Sequence, residues 1–294
     1  MLFLVSLLVD GALTGAIYAL IALAFVVVYK ASRVINFALG EWVMLGSLLT
    51  AAGAATLGLS LGGALGFAGL GMVGLALVFS RVVLRRLVGR PLISLIMVTL
   101  GLGALMRGSA ALLMHPVPGA VALPIPINFI WLLGVPVATD RLVAAAIAAL
   151  VVGLIGWFYQ HSRTGLALRA VADDPQAAMT MGIDVDRHIG IVWAMAGVIS
   201  VVGGVLWTFV AGSGFGVALV GLKIFPIVII GGLDSIPGCI VGAMIIGMLE
   251  SLAAGYLDPI LGGGFGTVAC YLLLLAMLFA RPEGLFGSKR IARV

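Results

Sequence analysis

Residues 4–57 read LVSLLVDGALTGAIYALIALAFVVVYKASRVINFALGEWVMLGSLLTAAGAATL, and this stretch decides the fold. Two apolar runs are joined by a short segment carrying Lys30 and Arg33. A membrane crossing needs roughly 20 mostly apolar residues. Outward from this stretch the same alternation continues to the C-terminus. Thirteen of the sixteen Lys and Arg residues fall into four clusters between apolar runs. These are Lys30 and Arg33; Arg81, Arg85, Arg86 and Arg90; Arg163, Arg169 and Arg187; and Arg281, Lys289, Arg290 and Arg293. Only Arg107, Arg141 and Lys223 lie elsewhere. Positive charge near span ends stays on the cytoplasmic side, so the clusters mark that side.

Composition agrees. Hydrophobic residues make up 63% of the chain and charged residues 9%, against about 25% charged in a soluble domain. The net charge of +5 is split among loops, whereas nucleic-acid binding needs a continuous basic face. No nucleic-acid partner is expected. Cys239 and Cys270 both sit in apolar segments without metal-ligand spacing and read as small core residues. The first run carries Asp10, lacks a basic leader and is too long for a signal-peptide core, so it reads as retained.

Nine candidate spans follow: Leu4–Tyr29, Gly40–Leu57, Leu61–Ser80, Leu92–Met114, Arg141–Tyr159, Ile189–Ala211, Val217–Gly232, Gly238–Ala254 and Gly266–Ala280. The expected fold is all-α, a single transmembrane domain over 1–294. It is a polytopic transmembrane helical bundle of about 8–10 membrane helices, some short or Gly-broken. With nine crossings and a basic tail inside, the N-terminus is extracytoplasmic and the C-terminus cytoplasmic. Barrels are excluded because the runs are apolar throughout rather than alternating. Gly58, Gly62 and Gly66, and again Gly238 and Gly242, repeat at a spacing that lets helices approach closely in lipid.

Two loops carry the extramembrane content. Residues 115–140 hold five of the eleven prolines and fall outside; they read as a rigid loop, neither helix nor central strand. Residues 160–188 fall inside and contain RTGLALRAVADDPQAAMTMGIDVDR. Asp174 then Pro175 is a helix start, a side-chain cap followed by Pro at the first helical position. Gly182 is a stop. The short helix between them, with Ala177 and Ala178 as a slim face flanked by Met179 and Met181, suits docking in a partner's groove. An ordinary connector helix is the other reading.

The chain resembles the permease subunits of bacterial ABC importers for branched-chain amino acids, the LivH/LivM type, over nearly its full length. The resemblance lies in Gly15–Gly46 with its INFA-x-GE core, in the inner loop just quoted, in GLKIFPIVIIGGLDSIPGCIVGAMIIGMLE over Gly221–Glu250, and in the tail RPEGLFG over Arg281–Gly287. The resemblance implies a homologous second permease subunit or a second copy of this chain, two cytoplasmic ATP-binding subunits, and an extracytoplasmic solute-binding protein. It implies a small-molecule substrate, no cofactor and no metal, and a place among the lipids of the bacterial inner membrane. The inner helix would be the ATPase-coupling helix, carried over to Ala172, Asp173, Asp174, Pro175, Ala177, Ala178, Gly182 and Ile183. No G-x-x-x-x-G-K-[ST] loop is present, so ATP would be held by the partners. Leu39 and Asp234 depart from the pattern; relatives of this architecture also serve amides, urea or aromatic acids.

Charges inside apolar runs need a reason, since each costs about 2.5–3.5 kcal/mol on insertion scales. Glu41 sits at a helix start, where the N-terminus favours a carboxylate. Arg107 faces the path, pairs with a carboxylate such as Glu250, or snorkels outward. Asp10 and Lys223 read as interfacial. Asn36, Phe37, Glu41, Arg107 and Glu250 are the translocation-path candidates. The sequence therefore reads as a transporter membrane subunit rather than an enzyme. A stand-alone secondary transporter or channel, which also uses broken helices and midplane charges, is the alternative.

Overall fold

The computed structural model describes residues 1–87, 91–113, 128–132 and 134–287. Its elements are α1 (Leu2–Ser32), α2 (Leu39–Ala55), α3 (Leu61–Phe79), α4 (Arg85–Leu87), α5 (Leu92–Leu113), β1 (Phe129–Leu132), β2 (Val135–Ala138), α6 (Thr139–His161), α7 (Arg163–Asp173), α8 (Pro175–Thr180), α9 (Val185–Ala211), α10 (Val220–Gly231), α11 (Ile236–Tyr256), α12 (Asp258–Leu261) and α13 (Phe265–Ala280). A π-helical turn at Ser80–Leu84 follows α3, and a 3-10 segment at Phe215–Leu219 leads into α10. The chain is a polytopic helical bundle. Each of the nine expected spans falls on a helix. Six described helices are long and apolar enough to cross a membrane; Leu39–Ala55, Phe215–Gly231 and Phe265–Ala280 are shorter apolar helices.

Most of the 115–140 loop lies outside the described residues, as do His115, Arg90, Lys289, Arg290 and Arg293. Its described end forms an antiparallel hairpin, β1 against β2, with Trp131 opposite Pro136. In a two-stranded ribbon both strands are edges, which is where Pro is tolerated.

The chain divides into two compact units. Unit 1 comprises Met1–Val26, Pro124–Leu150 and Leu222–Val294; unit 2 comprises Val27–Leu123 and Val151–Gly221. In unit 2, α2 packs on α3, α5 and α9. Its centre is aromatic, with Trp193 5.7 Å from Trp42 and 4.9 Å from Phe79 between ring centroids. The backbones of α2 and α9 nearly touch: a Cβ on Gly204 would stand 2.2 Å from the Val43 carbonyl oxygen.

In unit 1, α1 lies along α11 through Gly11, Gly15 and Gly247, and α10 lies along α11 through Gly231, Gly238 and Gly242. A Cβ on Gly238 would stand 2.1 Å from the Gly231 carbonyl oxygen, and one on Gly242 2.5 Å from that of Ile227. The other glycine repeat behaves differently. Gly62 and Gly66 meet nothing within 4 Å. Equal spacing thus gives a tight helix pair in one place and an open face in the other.

Pro226 lies inside α10 and cannot donate to the carbonyl four residues back. That carbonyl, on Leu222, accepts instead from the Tyr271 hydroxyl at 3.0 Å. The end of α10 is closed by the tail: Leu285 and Phe286 N–H groups donate to the Ile230 and Gly231 carbonyls at 2.8 and 3.1 Å. The RPEGLFG motif is therefore a helix cap built from distant sequence, satisfying carbonyls a helix end leaves free.

Candidate functional site

The intramembrane charges are paired, and the pairs were not legible in sequence. Arg107 Nη2 donates to Glu41 Oε1 at 2.7 Å, so Arg107 meets Glu41 rather than Glu250. Lys223 and the Tyr18 hydroxyl both donate to Glu250, the latter at 2.7 Å, and Lys223 also lies 5.9 Å from the Tyr18 ring centroid. Arg141 pairs with Asp10. Asp10 and Lys223, expected at the interface, each have a carboxylate or cation partner within unit 1, which removes the cost of an uncompensated charge.

The unit 2 pair has the more informative setting. Between α1 and α2 the chain is non-helical. Arg33 has a φ of 55°, and Val34, Asn36 and Ala38 are buried. Non-helical backbone at membrane depth is tolerated only where it is buried in protein or lines a cavity. Here its groups are satisfied locally. Asn36 Oδ1 accepts from the Ala38 N–H at 3.1 Å, Thr99 Oγ1 accepts from the Phe37 N–H at 3.4 Å, and the Thr99 hydroxyl lies between the Ile96 carbonyl at 2.9 Å and the Ile35 carbonyl at 3.3 Å, to one of which it donates.

Thr99, Gly103 and Arg107 stand one turn apart along α5, so they form one stripe. Residues 35–41 run alongside it. Glu41 lies against Gly103, where a Cβ would stand 3.2 Å from Glu41 Oε2. Gly103 is roughly 16 Å from the start of a 22-residue helix at 1.5 Å per residue. The Glu41 carboxylate, in the first turn of α2, therefore sits level with the middle of α5 and not near its end. Of the candidates Asn36, Phe37, Glu41 and Arg107, the structure brings Phe37 to Thr99 and Glu41 to Gly103 and Arg107, while Asn36 holds the turn through the Ala38 N–H. Sequence reading missed Thr99 and Gly103, although their spacing from Arg107 was a usable signal. Glu250 belongs to the separate Tyr18–Lys223 network.

The inner loop folds as its residues dictate. Asp174 Oδ1 accepts from the Gln176 and Ala177 N–H groups at 2.8 and 3.0 Å. Gly182, at φ 79°, closes α8: its N–H donates to Met179 and that of Ile183 to Ala178, the paired bonds of a Schellman cap. Pro175, Ala177, Met179 and Asp173 are exposed, and Met181 is 82% exposed. Ala178 is not part of that face. It is 3% exposed, turned inward where α8 meets α7 and α9. Ala172 is likewise buried, and its carbonyl accepts from Arg33 Nη2 at 3.5 Å. The slim outward face is Ala177 with Met179 and Met181.

The family described as branched-chain amino acid transport system / permease component matches residues 7–280. The high-affinity branched-chain amino acid transport system permease protein LivH of Escherichia coli (strain K12) is 29% identical over 311 residues, covering 100% of this chain and 98% of LivH. The corresponding protein BraD of Pseudomonas aeruginosa is 27% identical, covering 98% of this chain and 97% of BraD. A probable LivH of Methanocaldococcus jannaschii is 37% identical over 47% of this chain and 45% of its own. Among solved structures, PsaBC from Streptococcus pneumoniae in complex with Fab aligns at a TM-score of 0.49 and 17% identity, over 93% of this chain and 91% of that one.

Proposed function

The chain belongs to the family of branched-chain amino acid transport permease components, and on that premise we propose that it forms half of the translocation path of an ATP-driven importer. It is a multi-pass membrane subunit of a transporter and not an enzyme. The other half of the path is a homologous permease or a second copy. Two cytoplasmic ATP-binding subunits supply the work, and an extracytoplasmic binding protein delivers the solute. The solute is a branched-chain or related amino acid, as the names of LivH and BraD suggest for those proteins. The observation that carries this reading is the family match over 7–280.

The N-terminus and the β1–β2 hairpin face outward, and α7–α8 and the tail face the cytoplasm. The tail's hydrogen bonds to the end of α10 support this, because α11 and α13 between them return the chain to the side it left. The Arg85–Asp186 pair at 2.7 Å likewise joins two segments both read as cytoplasmic. Helix α8 is the coupling helix, presenting Ala177, Met179 and Met181 to an ATPase groove, with Asp174 and Gly182 fixing its ends.

The test is uptake of radiolabelled leucine by cells expressing this chain with its partner subunits. Uptake that needs the chain and fails when the ATPase is inactivated is expected. Uptake by this chain alone, driven by an ion gradient, would instead support the secondary-transporter reading.

A further inference from the structure

The Glu41–Arg107 pair leaves most of its bonding capacity unused. Arg107 uses Nη2, and its side chain remains 51% exposed. Among the described residues it has no other ion pair or side-chain hydrogen bond, so Nη1 and Nε remain available. Glu41 accepts through Oε1; its Oε2 takes no hydrogen bond among the described residues and lies over Gly103. Any larger residue at 103 would crowd the carboxylate, while glycine leaves it room to turn. The backbone beneath is held still by Asn36 and Thr99. A pair serving only to join α2 and α5 would place both charges inward. Here the guanidinium is half exposed.

Resting on the permease reading above, we propose that this pair is a seat for a zwitterion, the backbone part of an α-amino acid. The free edge of Arg107 takes the α-carboxylate, in the planar two-point geometry a guanidinium offers. Glu41 Oε2 takes the α-ammonium. Binding is then an exchange of partners: two charges leave one another and each meets an opposite charge on the solute. No charge is left unpaired at membrane depth, which is the costly state. The exchange begins from the Arg107–Glu41 ion pair.

This narrows the substrate class. Urea and simple amides carry no net charges to replace the pair and would have to break it without compensation. A solute with only one charge would satisfy one partner and strand the other. The side chain of the solute touches neither Glu41 nor Arg107, so the seat itself accepts many amino acids.

The full-length permease, assembled with its partner subunits in lipid nanodiscs and without binding protein, is the material for the test. Three probes are used: radiolabelled leucine, 3-methylbutan-1-amine, which lacks the carboxylate, and 4-methylpentanoate, which lacks the ammonium. In the wild type, leucine should bind at least about tenfold more tightly than either analogue. Arg107→Gln should weaken leucine about tenfold or more yet strengthen the amine, which no longer has an ion pair to break. Glu41→Gln should weaken leucine similarly yet strengthen the acid, which then meets a free Arg107. Arg107→Lys, which keeps the charge, should recover part of the leucine affinity, and assembly of every variant is checked by size exclusion. Equal weakening of all three probes, or no weakening in well-assembled variants, contradicts the seat and leaves the permease reading standing. A wild-type complex that ignores all three probes yet imports an uncharged solute contradicts both the seat and the amino-acid part of the permease reading.

Discussion

The Tyr271 hydroxyl on α13 donates to the Leu222 carbonyl on α10, the carbonyl that Pro226 leaves without its helical partner. A proline in a membrane helix is thus made tolerable by a side chain nearly fifty positions away in sequence. Tyr271→Phe removes the donor and keeps the ring. It should lower stability by about 1–2 kcal/mol, the cost of a lone unsatisfied carbonyl. A thermal melt of the purified complex measures this; an unchanged midpoint would mean that water or lipid satisfies Leu222 equally well.

Gly242→Leu should abolish accumulation of folded protein, because even a Cβ there would stand 2.5 Å from the Ile227 carbonyl oxygen. Gly66→Ala should leave accumulation unchanged, since that position opens onto empty space. Fluorescence-detected size exclusion compares the two. Equal yields would show that α10 and α11 are not held at backbone contact.

The orientation is open to cysteine labelling, with little background because Cys239 and Cys270 are both buried. Phe129→Cys, on the exposed hairpin, should react with an impermeant maleimide in intact cells. Met181→Cys should react only after the membrane is opened. The reverse pattern would invert the topology.

The spans were legible because crossing a bilayer imposes apolarity residue by residue, and the sequence records it directly. The ends of α8 were legible for a similar reason: Asp174, Pro175 and Gly182 each act within a few residues. What the sequence hid is set between helices. Arg107 and Glu41 are separated by 66 positions, and nothing local distinguishes Glu41 from Glu250 as the partner. Gly62–Gly66 and Gly238–Gly242 look alike until the neighbouring backbone is placed. A helix of six residues is too short for periodicity to show that Ala178 turns inward while Ala177 turns out.

Helix α8 is the element proposed to meet the ATPase, and Ala177 tests it most directly. Ala177 is exposed, so Ala177→Glu should leave the permease inserted and folded. In a partner's groove it would place an unpaired charge, which costs several kcal/mol on desolvation. Ala178→Glu serves as the contrast, because it buries the charge within this chain and should reduce folded protein as well. The measurement is co-purification of the ATP-binding subunits with the Ala177→Glu permease, read beside leucine uptake. The account predicts a normal yield of permease, with ATPase association and uptake both reduced at least about tenfold. A complex that assembles and transports at the wild-type rate would contradict it.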